Sequence, residues 1–219
     1  MRRISLKAVE ATVKDVCNKY FDFDFESLGI PVKIVDKNSN YLGEFTYNCK
    51  SRKPIAIEFS KQLVSGIYKI ETVESVIKHE IAHLVLFIKG EEFHDGTKNF
   101  EETIERIGST SSRVIRPLIH YHAKCSCCGK RCLNTFSKSV YRRYINSDYL
   151  LTDCCNSKMI PDGKTILKDK TKFKNDDAGE LLRRNIKLEN ENENDNTIMK
   201  PNVHLVAYKN RKIKIKEEA

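Results

Sequence analysis

The stretch Val76-Ile77-Lys78-His79-Glu80-Ile81-Ala82-His83-Leu84-Val85-Leu86-Phe87-Ile88 places two imidazoles and a carboxylate inside an otherwise apolar run. The run predicts a helix, with Thr72 as its N-cap, Glu74 in the first turn and Gly90 as its stop. A helix that is apolar on nearly every side belongs in a protein interior. His79 and His83 are four residues apart, so they share one face and both reach a single Zn²⁺. Glu80, adjacent on that turn, is the expected catalytic residue, a general base that takes a proton from water. Burying these three groups is costly unless they are paired or bound to metal, which favours a metal site over an ordinary core position.

A catalytic zinc needs a third protein ligand and an open position. His94, eleven residues after His83 and just past Gly90, is the expected third ligand; Glu101 and Glu102 on the following segment are its rivals. Before the helix, Leu6, Val9, Val13, Val16, Cys17 and Tyr20 recur at helical spacing. Pro31-Val32-Lys33-Ile34-Val35 and Tyr41-Leu42-Gly43-Glu44-Phe45-Thr46-Tyr47 read as strands about the turn at residues 36–40, and Pro54-Ile55-Ala56-Ile57-Glu58-Phe59 as a third strand. Phe100, Ile104 and Ile107 mark a short helix after Thr97. The order is α+β: helix, small sheet, helix, helix.

The chain has 219 residues, a net charge of +9 and eight Cys, and neither charge nor Cys is evenly spread. Residues 1–108 hold 16 Lys+Arg against 17 Asp+Glu, whereas residues 109–219 hold 23 against 13. Cys17 and Cys49 stand alone, while Cys125, Cys127, Cys128, Cys132, Cys154 and Cys155 fall together. No apolar run approaches the roughly 18 residues of a membrane span, so no membrane partner is expected. The N-terminal segment lacks the apolar core of a secretory signal, which predicts a cytoplasmic protein with reduced thiols. In that setting a Cys cluster is read as metal ligands. From about Lys164 the chain turns Lys-rich and then Asn/Glu-rich (Leu188-Glu189-Asn190-Glu191-Asn192-Glu193), and reads as a linker and flexible tail. Residues 203–215 alternate apolar and basic, as an edge strand or a basic tail would.

Across residues 47–160 the sequence resembles the SprT-like family of zinc metalloproteases, which includes the Spartan proteases. The resemblance rests on the strand Pro54-Ile55-Ala56-Ile57-Glu58-Phe59-Ser60, then His79-Glu80-Ile81-Ala82-His83, a Gly90-containing linker, His94, and Phe100 opening the next helix. It implies a small zincin-like domain of helices on a short sheet, with His79, His83 and His94 as zinc ligands and Glu80 as the catalytic base. The family often shows His-Gly-x-x-Phe at the third ligand; this chain instead has His94-Asp95-Gly96-Thr97-Lys98-Asn99-Phe100. The resemblance also implies a zinc ribbon after the protease domain, with a basic hairpin between two CxxC knuckles. Cys125 and Cys128 supply the first knuckle. The second is irregular, because Thr152 stands three residues before Cys155. Cys154 is then the expected fourth ligand, with Cys127, Cys132, His120 and His122 as alternatives.

The expected domains are therefore residues 1–118 (metalloprotease), 119–163 (zinc-ribbon-like module) and 164–219 (linker and tail). Four closed Cys ligands make a structural zinc, in contrast to the open catalytic one. Lys130, Arg131, Lys138, Arg142 and Arg143, beside Tyr141 and Tyr144, suit contacts with DNA phosphates and bases. The leading expectation is a zinc metalloendopeptidase acting on DNA-bound or DNA-crosslinked proteins, placed at the nucleoid or in the nucleus where it is DNA-directed. A non-catalytic zinc-containing DNA-binding adaptor and a narrow-specificity regulatory protease are the alternatives.

Overall fold

The computed structural model describes residues 3–36, 41–110, 115, 117–173 and 177–198. Helix α1 (Leu6–Phe21) is capped by the Ser5 hydroxyl, which accepts the Ala8 N–H at 3.0 Å, and buries the expected stripe Val9, Val13, Val16 and Cys17. Strands β1 (Val32–Val35), β2 (Gly43–Asn48) and β3 (Lys53–Ser60) follow, and β3 lies in the middle of the sheet. The two strands that flank the turn at residues 36–40 both pair with β3: β1 runs parallel to it, while β2 pairs antiparallel on its other side. Residues 37–40 of that turn lie outside the described residues.

Helix α2 (Ile70–Lys89) packs against α1, β2, β3 and helix α3 (Lys98–Arg106). Its apolar residues face two clusters. Val73, Val76, Ile77, Ile81, Leu84 and Val85 join the main core with α1 and the sheet, whereas Ala82 and Leu86 meet Phe100, Ile104 and Ile107. This two-sided packing explains why α2 is apolar nearly all round. Gly90 ends it at φ +73°, a left-handed conformation that glycine adopts without strain. The expected cap, Thr72, is not one. The helix begins two residues earlier, and the Thr72 hydroxyl donates to Asp169 Oδ2 at 2.7 Å.

A second sheet holds β4 (Ile119–Cys125) between β5 (Arg131–Thr135) and β6 (Met159–Ile166). Between β5 and β6 the expected basic hairpin is absent. Residues 138–145 form helix α4 (Lys138–Ile145), capped by the Ser137 hydroxyl on the Val140 N–H. Ser at the cap followed by Lys-Ser-Val-Tyr-Arg-Arg is an adequate helix start, and the basic residues of the last turn suit the negative helix end.

The linker reading of the region after Lys164 fails for its central part. After β6 the chain returns to the start of α2, where buried Asp169 accepts from the Lys69 N–H and the Thr72 hydroxyl. Helix α5 (Glu180–Ile198) then packs on α1 and α2. Leu181 and Leu182 enter the main core, Asn185 donates to Thr12 and Asp15, and Glu74 accepts the Leu182 N–H at 3.0 Å. Glu74 also pairs with buried Lys78 at 3.0 Å, so one α2 carboxylate serves two elements. The Asn/Glu-rich composition misleads because the anchoring residues Ala178, Leu181, Leu182, Asn185 and Ile186 precede most of it. Residues 203–215 lie outside the described residues. Among the described residues no helix is long and apolar enough to cross a membrane.

Because Leu182 is fully buried, Leu182→Ala is expected to destabilise the fold by about 2–5 kcal/mol. Urea unfolding checks this; a change below about 0.5 kcal/mol, as for an exposed position, would mean that α5 is not docked in solution.

Candidate metal centres

Helix periodicity brings His79 and His83 together with their Nε2 atoms 3.1 Å apart. Phe100 fixes both rings: His83 stacks on it at 4.2 Å and 16°, and His79 meets it edge-on at 5.0 Å. His83 Nδ1 lies 2.5 Å from the Phe93 carbonyl oxygen. The proton therefore belongs on Nδ1, which leaves Nε2 as a lone pair, the state in which imidazole binds a metal. His79 Nδ1 is buried and has no hydrogen-bond partner among the described residues.

The third side chain that converges with the two histidines is a carboxylate. Asp95 Oδ1 lies 3.1 Å from His79 Nε2 and 3.8 Å from His83 Nε2, and the three donor atoms all fall within 4.8 Å of one another. His94, the sequence-based expectation, lines the same cavity but is not in this group; its ring packs on Phe93 at 4.1 Å. Glu101, an earlier rival, accepts the Gly96 N–H and so braces the turn that carries Asp95. Bonds of about 2.0–2.1 Å to a tetrahedral Zn²⁺ put ligand atoms roughly 3.3 Å apart, close to the observed spacing. The donor set thus fits zinc.

Glu80 points to the sheet side of the same cavity, which has a volume of about 550 Å³ and is also lined by Tyr41, Tyr47 and Phe93. Its Oε2 accepts the Phe45 N–H at 2.9 Å, so strand β2 sets the orientation of the carboxylate. Burial pushes the Glu80 carboxyl up to about 7, only partly opposed by His79 and the Phe45 N–H. Burial works against protonation of His79, but the Asp95 hydrogen bond and the Glu80 charge outweigh it and raise that pKa. Burial, together with the charge of His79, holds His83 down at about 4. Gly43 makes this close approach possible. A Cβ there would stand 2.7 Å from both Glu80 Cγ and Oε1, and 2.9 Å from Val76 Cγ1. No sequence pattern signals these β2 contacts, since one is a backbone N–H and the other a missing side chain.

The second group is Cys125, Cys128, Cys154 and Cys155, whose sulfurs lie within 4.8 Å of one another. Cys128 Sγ is 3.6 Å from Cys154 Sγ. Thr152 occupies the position a regular second knuckle would give to cysteine, and its hydroxyl donates to Cys125 Sγ at 3.3 Å. That hydroxyl and nearby backbone N–H groups draw the Cys125 thiol down to about 6, favouring the thiolate. Of the expected alternatives, His122 is committed to Asn134 and Thr165, and His120 stacks on Phe136. Cys132 lies beside the group, 3.8 Å from Cys154.

Among the basic residues, Arg131 pairs with Asp162 at 2.7 Å and Lys138 with Asp36 at 3.2 Å. Lys130, Arg142 and Arg143 are exposed, the last two on α4.

Fold and sites together define a mixed α+β protein with two groups of side chains suited to hold metal. The chain belongs to the SprT-like family, whose model matches residues 10–122. The match takes in most of α1, the first sheet and α2 with its two histidines, and ends before Cys125. Comparison with curated proteins and with solved structures returns no match. Family membership points to a metalloprotease-type function.

Proposed function

We propose that this protein is a zinc-dependent endopeptidase of the SprT-like type, acting on proteins bound or crosslinked to DNA. The observation that carries the reading is the convergence of His79, His83 and Asp95 beside the buried carboxylate of Glu80 in one cavity. Zinc bound there supplies Lewis-acid polarisation of a peptide carbonyl and brings the pKa of a water to about 7. The protein's own residues supply the rest. With Oε2 held by the Phe45 N–H, Glu80 has Oε1 left to take a proton from water and pass it to the departing amine. The raised pKa of Glu80 suits a group that must both accept and release a proton near neutrality. Phe93 and Phe100 hold His83, and the turn after Gly90 delivers the third ligand.

In this reading Asp95 is the third ligand. Asp95→Asn is expected to weaken zinc binding at the histidine site by more than the roughly 10–100-fold that loss of a partner behind a ligand costs, while His94→Asn leaves it within a few-fold. Competition with a zinc chelator measures both. The reverse order would assign the role to His94, as the family pattern implies.

The Cys-rich module supplies the link to DNA in this reading. Four closed thiolates make a structural centre, and exposed Lys130, Arg142 and Arg143 can pair with phosphates. Purified protein is expected to cut a DNA-bound substrate at least about tenfold faster than the same substrate without DNA, with the gain lost as salt rises from 50 to 200 mM. Cleavage indifferent to both DNA and salt would favour the narrow-specificity protease, and no cleavage with any substrate the adaptor.

A further inference from the structure

The family pattern and the donor group account for four of the six clustered cysteines, and leave Cys127 and Cys132. Cys132 stands on β5, outside the group of four, yet its sulfur is 3.8 Å from that of Cys154. Cys154 is the exposed member of its vicinal pair, Cys155 being partly covered. A thiol without a ligand role thus lies against an accessible ligand sulfur. A disulfide requires an S–S separation of about 2.05 Å, so closing the gap takes roughly 1.8 Å, within reach of side-chain rotation.

We propose that Cys154 and Cys132 form a peroxide-reactive pair whose oxidation releases the structural zinc. The inference rests on the reading of Cys125, Cys128, Cys154 and Cys155 as a zinc site, and is independent of peptidase activity. The reactant is a hydroperoxide, with hydrogen peroxide the simplest case. The Cys154 sulfur attacks one peroxide oxygen and the O–O bond breaks. Cys154, attacking as the thiolate, becomes a sulfenic acid, and the second oxygen leaves as hydroxide and takes a proton from solvent to become water. The Cys132 sulfur then attacks Cys154 Sγ, the S–O bond breaks, and the departing hydroxide takes the Cys132 thiol proton to form a second water. The two sulfurs together lose two electrons, the peroxide gains them, and the products are one disulfide and two waters. Cys154 no longer donates to the metal, so a closed four-ligand site drops to three.

Cys128 is nearer to Cys154, at 3.6 Å, and is the natural competitor. It belongs to the converging four, however, and is a ligand in the zinc-site reading, whereas Cys132 stands outside that group, with the Lys130 carbonyl oxygen 3.0 Å from its sulfur.

The test uses the full chain loaded with zinc and counted for metal before treatment. Hydrogen peroxide is added, zinc release is followed with a chromogenic chelator, and disulfides are mapped by mass spectrometry without reduction. The expected result is release of one zinc per chain, a Cys132–Cys154 linked peptide, and recovery of zinc binding after a thiol reductant. Cys132→Ser is expected to slow release at least about tenfold, or to leave Cys154 over-oxidised and beyond rescue by the reductant. Cys127→Ser is expected to behave as the parent. A disulfide between two of the four donors, or equal and equally reversible release from Cys132→Ser, overturns the pairing. Because the wild-type map alone identifies the linked cysteines, the result does not depend on how the variant folds. A chain that carries no zinc on its cysteines before treatment overturns the zinc-site reading itself, and is recognised at that first count.

Discussion

Glu80→Gln is expected to abolish peptide hydrolysis while leaving both zinc sites filled. A positioned general base contributes roughly 10²–10⁴ in rate. Asp95 is engaged with His79 and His83, and Glu44 lines the same cavity from β2. Gln keeps the size of the side chain and can still accept the Phe45 N–H through its carbonyl oxygen, so the cavity keeps its shape. It also removes a carboxylate whose charged form burial disfavours, so folding stability is not expected to fall. The measurement pairs cleavage rate with zinc content in one preparation. Loss of activity accompanied by loss of zinc would make Glu80 a structural residue; undiminished activity would remove it from the chemistry.

Replacing Cys125 by Ser is expected to unfold the second sheet while leaving the histidine site and the main core intact. The module has few buried side chains with which to hold itself: Ala123, His122, Cys125, Thr152 and Met159. Ile160 and Ile166 on β6 are exposed. A unit of that size with so little apolar burial needs a metal or another cross-link. Structural zinc in small modules contributes an apparent binding free energy of about 10–16 kcal/mol at neutral pH, far above what these contacts supply. Cys125 is the most buried of the four donors and lies at the end of β4, where it also accepts from Thr152 and the Cys127 N–H. Hydrogen exchange is expected to lose protection across β4, β5 and β6 but not across α1, α2 and the first sheet, and zinc content to fall by one per chain. Retained protection in β4–β6 would show that the module stands without its metal.

These two variants separate parts of the molecule that were unequally legible in the sequence. The His79-Glu80-Ile81-Ala82-His83 helix and its burial could be read directly, because periodicity fixes which residues share a face and an apolar run around charged groups demands a partner for them. The three strands of the first sheet were legible from alternation, but the parallel pairing of β1 with β3 was not, since it depends on contacts beyond any local window. Thr72 is read locally as a cap, yet its hydroxyl serves a carboxylate 97 residues later in the chain. Helix α5 was hidden by the Asn/Glu run, although Ala178, Leu181, Leu182, Asn185 and Ile186 carry a helical spacing that composition alone overlooks. At the site, His94 and Asp95 are neighbours, and only the geometry of the turn distinguishes them. The backbone N–H of Phe45 and the bare Cα of Gly43 have no sequence signature at all.

Peptide hydrolysis by Glu80 requires zinc to be held at the helix-borne histidines. Zinc-edge X-ray absorption on the purified full chain, together with metal counting, addresses this directly. Two zincs per chain are predicted, one in an all-sulfur shell from the cysteines and one in a nitrogen/oxygen shell that disappears in His79→Ala. A single zinc with only sulfur neighbours, unchanged by that substitution, would contradict the central claim.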